Sequence, residues 1–164
     1  EASGVSSDGK PIEWSAYSGK VVLVNFWAAW SGTCLAEIPE LKRLYRAYQP
    51  YDFEILGISL DQDEARLQAT ISKEEIPWRN LFHPGKGFDH PLATTYGVST
   101  IPTAFLVDSS GKVVSTRARG EELRRRLSEL IEPELNRRQS EQTSKRDGNS
   151  QVSVEGKSKI RPVP

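Results

Sequence analysis

Residues 21–48 decide the fold, and they read VVLVNFWAAWSGTCLAEIPELKRLYRAY. The first seven residues are apolar except for Asn25, which is the pattern of a central strand covered on both faces by helices. Beyond Ser31, apolar residues recur every three or four positions, which predicts a helix from just after Ser31 to about Tyr48. The members of this helical stripe are Leu35, Ile38, Leu41, Tyr45 and Tyr48. A buried strand therefore leads directly into an amphipathic helix.

The alternation of strand and helix continues along the chain. Runs rich in β-branched and aromatic residues predict strands, and apolar periods of three to four predict helices. The predicted elements are a strand over 53–60, a helix over 61–75, a Gly- and Pro-rich loop, a short helix over 89–96, a hairpin of strands 103–108 and 112–116, and a last helix from near Gly120. This order predicts an α/β domain in which a central mixed sheet is flanked by helices.

The composition excludes several classes of protein. The 164 residues suit a single domain of ordinary size. Basic and acidic residues number 22 each, so no charge excess drives binding to nucleic acid. The longest apolar run, residues 21–30, is far shorter than the roughly 20 residues of a membrane span, and the mean hydropathy is −0.53. We therefore expect no nucleic-acid partner and no membrane span in this chain.

Residue counts also limit thiol and metal chemistry. Cys34 is the only cysteine, so the chain forms no internal disulfide and no zinc site that needs several thiolates. His83 and His90 have neither a cysteine nor a clustered acid pair beside them in the sequence. We expect no metal site and no cofactor.

The composition changes after residue 138. Residues 139–164 contain no aromatic residue and too few apolar ones to offset the entropy cost of ordering. We therefore predict one domain over 1–138 and a disordered, flexible polar tail over 139–164. The chain starts at Glu1 and has no methionine, which favours a processed piece of a longer product.

A motif at the strand-to-helix turn gives a family resemblance. Residues 26–39 read FWAAWSGTCLAEIP, which resembles the F-W-A-x-W-C-x-x-C-x-x-E-x-P pattern of thioredoxin-like redoxins, particularly of the extracytoplasmic TlpA/ResA type. The resemblance covers most of residues 9–134, and its further segments are GKVVLVN at 19–25, YGVSTIPT at 96–103, FLVD at 105–108 and GKVV at 111–114. It implies a thioredoxin fold, thiol–disulfide oxidoreductase activity in cell redox processes, protein or peptide substrates, and a location outside the cytoplasm.

The chain departs from this motif at the first cysteine position, which is Ser31. In thiol–disulfide exchange, the thiol at this helix tip is ionised with the help of unpaired N–H groups and the helix dipole, and it attacks the target disulfide. A serine hydroxyl is too weak an acid for that role, but it caps a helix well by accepting from the N–H of Thr33 or Cys34, worth ~1 kcal/mol. The S-x-x-C motif therefore predicts that dithiol exchange is lost or impaired. Two origins of Ser31 stay open, a natural serine and an engineered replacement of cysteine.

Cys34 and Glu37 complete the candidate catalytic set with Ser31. The resemblance implies that the thiol of Cys34 faces inward, and two roles stay open for it: inert packing and peroxidase-like chemistry of a single cysteine. The stretch from Ser31 to Cys34 superficially resembles the T-x-x-C of peroxiredoxin-like proteins, although Trp27 stands where those carry a proline. Glu37 matches the glutamate with which family members manage the proton of the second thiol. It fits equally well as a carboxylate stabilised by the helix dipole.

The second part of the resemblance is the Ile101–Pro102 bond, which the family has in the cis form beside the motif. Such a bond exposes backbone groups with which an extended peptide pairs as an added strand. The residues predicted to bind substrate are Trp30, Gly32, Thr33, Thr100, Ile101 and Pro102. This groove does not depend on the missing thiol. A non-enzymatic peptide- or protein-binding module is therefore the alternative to an oxidoreductase homologue with an altered active site. We expect a monomer in either case.

Overall fold

The computed structural model describes residues 5–6 and 10–150, which form one sheet and four α-helices. The strands are β1 (Val5–Ser6), β2 (Val21–Trp27), β3 (Phe53–Ser59), β4 (Arg79–Phe82), β5 (Thr103–Val107) and β6 (Val113–Ser115). The helices are α1 (Gly32–Tyr48), α2 (Glu64–Lys73), α3 (Pro91–Thr95) and α4 (Gly120–Ser150). The strand order is β1-β4-β3-β2-β5-β6, with parallel pairs among β2, β3 and β4 and antiparallel pairs elsewhere. The predicted α/β class with a central mixed sheet is confirmed.

The register of the central strands brings two segments together that are distant in sequence. Strand β2 is parallel to β3 along its whole length, and Trp27 at its end pairs with Ser59. Strand β5 runs antiparallel to β2, with Thr103 opposite Phe26. Pro102, which precedes β5, therefore lies beside the residues that follow β2 and lead into α1.

Apolar side chains cover both faces of β2, as its continuous apolar run predicts. Successive residues of a strand point to opposite faces of the sheet. Leu23 belongs to the core cluster that contains the buried faces of α1 and α4, whereas Phe26 belongs to the cluster on the other face with Leu92 and Ala93 of α3. The apolar stripe of α1 thus fixes this helix against one side of the sheet, with its first turn at the end of β2.

The predicted helix over 61–75 is shorter in the structure. Helix α2 begins at Glu64 because the Asp63 side chain caps it, accepting from the Arg66 N–H at 3.2 Å. Residues 61–62 are left outside the helix, and this places Asp61 in the functional region described below. The short helix predicted over 89–96 is likewise confined to Pro91–Thr95.

Strand β4 falls in a segment for which the sequence predicts a loop. The segment has only four residues and carries Asn80, which is fully buried. The amide of Asn80 is satisfied by partners that no local pattern reveals: its Oδ1 accepts from Trp27 Nε1 at 2.9 Å, and its Nδ2 donates to the Trp78 carbonyl at 3.1 Å. Tertiary hydrogen bonds therefore place this polar residue in the sheet.

Helix α4 crosses the boundary that composition predicts at residue 138, since it continues to Ser150. Arg138 ties the helix to the body of the domain through Asp52 Oδ2 at 3.2 Å. Arg137 pairs with Glu134 and Glu141, one turn away on either side, and such pairs support an exposed helix. The predicted tail is thus helical as far as Ser150, and residues 151–164 lie outside the described residues. In the part of the chain that the structure describes, no helix combines the length and apolar character that crossing a bilayer requires.

Candidate active site

The tip of helix α1 carries the altered motif. Ser31 is the N-cap residue, with an extended backbone (φ −92°, ψ 108°), and its hydroxyl accepts from the Cys34 N–H at 3.3 Å. Its carbonyl accepts from the Leu35 N–H at 3.0 Å, which starts the helical hydrogen bonding. The prediction that Ser31 caps the helix is confirmed. Its hydroxyl holds the first turn together at the place where the motif otherwise carries the attacking thiol.

Cys34 lies behind this tip, between α1 and the sheet, with only 3% of its surface exposed. Burial raises the pKa of the Cys34 thiol above its ordinary value of 9.0, and the charge of Glu37 acts in the same direction. The Ser31 hydroxyl, the backbone of Ala28 and the charge of Arg119 lower this pKa but do not outweigh burial. Cys34 is therefore a shielded, protonated thiol at neutral pH.

The cis-proline loop, residues 100–103, lies beside the helix tip. The Ile101–Pro102 peptide bond is cis. Thr100 is exposed and Ile101 is half-buried, and the Thr103 hydroxyl closes the loop by donating to the Thr100 carbonyl at 2.7 Å. The loop thus presents backbone groups at the surface near the end of β2, where Thr103 pairs with Phe26.

Glu37 is tied to the cis-proline loop by an arginine that the sequence patterns do not single out. Arg119 Nε donates to Glu37 Oε1 at 2.8 Å, and Arg119 Nη2 contacts the same oxygen. Arg119 Nη1 donates to the Pro102 carbonyl at 3.2 Å. One guanidinium therefore joins α1, the cis-proline loop and the segment that leads into α4.

Two exposed aromatic side chains form the rim of the site. Trp30 is 48% exposed, and its ring centroid lies 6.4 Å from that of Phe88, which is 39% exposed. A cavity of about 390 Å³ opens beside this pair, and Asp61 and Arg66 are among its lining residues. Gly32 and Thr33, in the first turn of α1, are exposed next to Trp30. This face of the helix tip is therefore open to a partner.

A buried carboxylate supports the loop between β2 and α1. Asp61 is 1% exposed, and its oxygens accept from the Ala29 N–H at 2.9 and 3.1 Å and from the Ser59 hydroxyl at 2.8 Å. Burial raises the pKa of Asp61 above its ordinary value of 3.8 in spite of these hydrogen bonds. Asp61 thus holds the backbone directly before Trp30 in place.

Residues 1–116, which include the helix tip and the cis-proline loop, match the sequence model of the AhpC/TSA family. The chain belongs to the AhpC/TSA family. It is similar to the thiol-disulfide oxidoreductase ResA of Bacillus thuringiensis subsp. konkukian (strain 97-27), with 30% identity over 124 residues that span 76% of this chain and 69% of that protein. The thiol-disulfide oxidoreductase ResA of Bacillus subtilis (strain 168) is 28% identical over 108 residues, which span 66% of this chain and 58% of its own.

The structure of this AhpC/TSA-family protein is also similar to solved structures. A thiol-disulfide oxidoreductase from Bacteroides fragilis aligns with a TM-score of 0.73 and 32% identity, over 79% of this chain and 96% of its own. The thioredoxin domain of a thiol-disulfide oxidoreductase from Bacteroides vulgatus aligns with a TM-score of 0.71 and 28% identity, over 79% of this chain and 91% of its own. The predicted thioredoxin fold and the TlpA/ResA-type resemblance are confirmed.

The sequence patterns did not predict three residues of the site in this AhpC/TSA-family protein. Asp61 offers a signal in retrospect, because an acidic residue directly after a buried parallel strand lies at the edge of the sheet where sites form. Phe88 stands in a Gly- and Pro-rich loop and Arg119 in a short turn, and neither segment has a periodic pattern that marks it. Their roles depend on contacts with Trp30 and Glu37, which only the tertiary structure provides.

The two histidines are neighbours in space. The ring centroids of His83 and His90 lie 4.9 Å apart. His90 is 1% exposed, and burial, with a smaller contribution from His83, lowers the pKa of His90 to about 4. Among residues 5–6 and 10–150, no group of three or more His, Cys, Asp and Glu side chains is arranged to hold a metal ion.

The raised pKa of Asp61 gives a prediction for stability against pH. Because the folded protein disfavours the charged form, ionisation of Asp61 lowers the free energy of unfolding as pH rises from about 3.8 through the raised folded-state pKa. Asp61→Asn removes this titration, so we expect the stability of the variant relative to the unmodified chain to be higher at pH 7 than at pH 3. Urea unfolding at both pH values measures the difference.

Asp108→Asn is the matched control for this measurement. Hydrogen bonds from Ser110 and Lys112 lower the pKa of Asp108, so its ionised form adds stability above the unfolded-state pKa, and this contribution is lost as pH falls. The relative stability of Asp108→Asn should therefore change with pH in the opposite direction. Parallel trends in the two variants would contradict the assignment for Asp61.

Proposed function

We propose that this chain is a ResA-type thiol–disulfide oxidoreductase homologue of cell redox processes that binds polypeptides but has lost dithiol turnover. The observation that carries the proposal is the geometry of Ser31. Its hydroxyl caps α1 through the Cys34 N–H at 3.3 Å, at the position where the family motif has the attacking cysteine. An alcohol at this position supplies the cap but no thiolate, so the bond to a target disulfide sulfur cannot form.

The groove beside the missing thiol supports polypeptide binding. Trp30 is half-exposed at the helix tip, and the cis-proline loop leads into β5, whose Thr103 pairs with Phe26 near the end of β2. An exposed aromatic residue supplies apolar contact area, and an accessible backbone edge supplies hydrogen bonds to an extended chain. Both features are independent of a thiol. The family resemblance further supports a location outside the cytoplasm.

The burial of Cys34 argues against single-cysteine chemistry as the main function. A reactive thiol needs solvent access and a lowered pKa, whereas Cys34 is 3% exposed and burial raises its pKa. Its surroundings are those of a core residue. Inert packing is therefore the role of Cys34 that agrees with the binding proposal.

Fluorescence anisotropy with labelled, S-carboxymethylated insulin B chain tests the binding proposal. This probe is an extended polypeptide without free thiols, so it reports binding without exchange. We expect Trp30→Ala to weaken binding by about tenfold or more, since loss of a central aromatic contact costs ~1.4 kcal/mol or more. Cys34→Ala should leave the dissociation constant within about twofold, a change of under ~0.5 kcal/mol.

Trp14→Ala is the matched control, because Trp14 is a comparably exposed tryptophan that lines a different cavity with Tyr17 and Lys20. It should bind the probe as the unmodified chain does. Equal losses in the Trp30 and Trp14 variants, or a loss of binding in Cys34→Ala, would count against the proposed groove.

A further inference from the structure

Arg119 makes contacts of longer range than Arg125, Arg126 and Arg137 do. Arg125, Arg126 and Arg137 pair with glutamates three or four residues away on the surface of α4. Arg119 instead reaches Glu37, 82 positions earlier, and the Pro102 carbonyl, 17 positions earlier. A guanidinium that bonds two separate elements through different nitrogens fixes their relative position, which an ion pair within one helix does not.

Arg119 and Glu37 are also the two charged side chains that act on the Cys34 thiol. Burial is the largest influence on the pKa of this thiol, and Ser31 and Ala28 act through uncharged groups. Glu37 approaches from α1, one turn beyond Cys34, and Arg119 approaches from the segment before α4. The charge of Glu37 raises the pKa of Cys34 and that of Arg119 lowers it. The two charges therefore oppose each other at the thiol.

A small cavity separates this pair from the sheet. It has a volume of about 150 Å³, and Asn25, Glu37 and Arg119 are among its lining residues. The amide of Asn25 does not take up a proton at neutral pH. Within the described residues, the bonds from Arg119 go to Oε1 of Glu37, and no hydrogen bond is made to its Oε2. Without Arg119, the Glu37 carboxylate would lose these bonds and would have room to reorient into this cavity.

We propose that Arg119 is a positioning residue of the thiol site, which fixes the Glu37 carboxylate between α1 and the cis-proline loop and thereby sets the charge that faces Cys34. This inference deepens the proposed function and rests on it, because it concerns the same helix tip. Since Nη1 of Arg119 bonds the Pro102 carbonyl, the backbone of the groove and the charge at the thiol are coupled.

NMR titration of the full chain with ¹³Cβ-labelled cysteine tests the proposal, since the single cysteine gives one resonance that reports thiol ionisation. In Arg119→Gln we expect the titration midpoint to rise by roughly 0.5–1 pH unit, a three- to tenfold lower thiolate fraction at fixed pH. Glu37→Gln should lower the midpoint. Arg119→Lys keeps the charge and should recover at least part of the shift.

Arg124→Gln is the control variant. Arg124 joins α4 to α1 through Glu40 at 3.0 Å, and neither residue is among the groups that shift the pKa of Cys34. The midpoint should stay unchanged in this variant. An unchanged or lower midpoint in Arg119→Gln, or an equal shift in Arg124→Gln, would overturn the proposal.

Two further measurements still test the proposal if Arg119→Gln lowers the stability of the fold. The double variant Glu37→Gln/Arg119→Gln has no charge at either position, and its midpoint should lie below that of Arg119→Gln; a midpoint at or above it would overturn the proposal. Peptide binding is measured separately with the insulin B chain probe. Absence of peptide binding together with the expected midpoints would refute the proposed function and leave the role of Arg119 standing.

Discussion

Replacing Ser31 with cysteine should give a chain that reduces insulin when dithiothreitol is supplied, whereas we propose that the unmodified chain does not. The site around the new thiol is already in place. The cap position is extended, the N–H of Cys34 points to the side chain at position 31, and the helix dipole favours a negative charge there. The thiol pKa is lowered to ~3.5–7.5 at helix N-termini and in C-x-x-C motifs, so a substantial fraction of the introduced thiol should be ionised at neutral pH.

The expected reaction consists of two thiol–disulfide exchanges followed by reduction of the enzyme disulfide. The introduced thiolate attacks one sulfur of an insulin disulfide, which releases the other sulfur as a thiolate. Cys34 then attacks the mixed disulfide and releases the second insulin thiol. Dithiothreitol reduces the internal disulfide that results and supplies the two electrons of each cycle. Cys34 needs to become accessible only after the first step.

The size of the effect follows from the role of a nucleophile. Removing one costs on the order of 10⁶-fold in the rate of a well-studied hydrolase, so restoring one should raise the rate of insulin precipitation at least about 100-fold above that of the unmodified chain. The unmodified chain should match the background of dithiothreitol alone. A rate for the unmodified chain close to that of Ser31→Cys would contradict the proposed loss of turnover.

The double variant Ser31→Cys/Cys34→Ser is the control. It retains the attacking thiol but lacks the second one, so it should accumulate a mixed disulfide and turn over slowly. Full activity in this double variant would show that Cys34 does not resolve the intermediate.

The strand-to-helix turn could be predicted because its determinants are local. The apolar run of β2 and the stripe of α1 report burial through their own periodicity, and Ser31 caps the helix through an N–H three residues away. The family motif at residues 96–103 predicted the position of the cis-proline loop. These features place the candidate site at the end of β2 before any tertiary contact is known.

The residues that sequence patterns missed depend on distant partners. Asn80 is polar and fully buried because Trp27, 53 residues earlier, donates to it. Arg119 acquires its role from Glu37, 82 residues earlier. The residues at 124–126 are also arginines, but they bond other glutamates. A pattern in one short segment carries no information about such pairs, so Asn80 and Arg119 emerge only from the folded arrangement.

The close contact around Gly57 gives the largest expected effect on stability. Gly57 lies in the middle of β3, between Asn25 of β2 and Asn80 of β4. A Cβ atom at this position would overlap Asn80 Oδ1 and lie 3.1 Å from Trp27 Nε1. These are the two atoms of the buried hydrogen bond that fixes the end of β2, directly before the loop that carries Trp30.

Gly57→Ala should therefore lower the free energy of unfolding by about 2–4 kcal/mol. Displacing the Asn80 amide leaves a buried Trp27 N–H without a partner, at ~1–3 kcal/mol, and crowding adds ~1–3 kcal/mol. The gain from a stiffer unfolded chain is only ~0.4–1 kcal/mol and does not offset these costs. Urea unfolding should show a lower midpoint with an unchanged slope.

Gly32→Ala is the control for Gly57→Ala, because nothing lies within 4 Å of its added Cβ, and the stability of this variant should stay the same or rise by up to ~1 kcal/mol. A double-mutant cycle then assigns the cause. If the overlap with Asn80 is responsible, Gly57→Ala should cost much less in an Asn80→Ala background, where the overlapping atoms are absent. An equal cost in both backgrounds would mean that the sheet excludes a side chain at Gly57 for a reason other than the bond between Trp27 and Asn80. The cycle therefore measures whether this bond, rather than the strand pairing alone, holds the end of β2 where the candidate site begins.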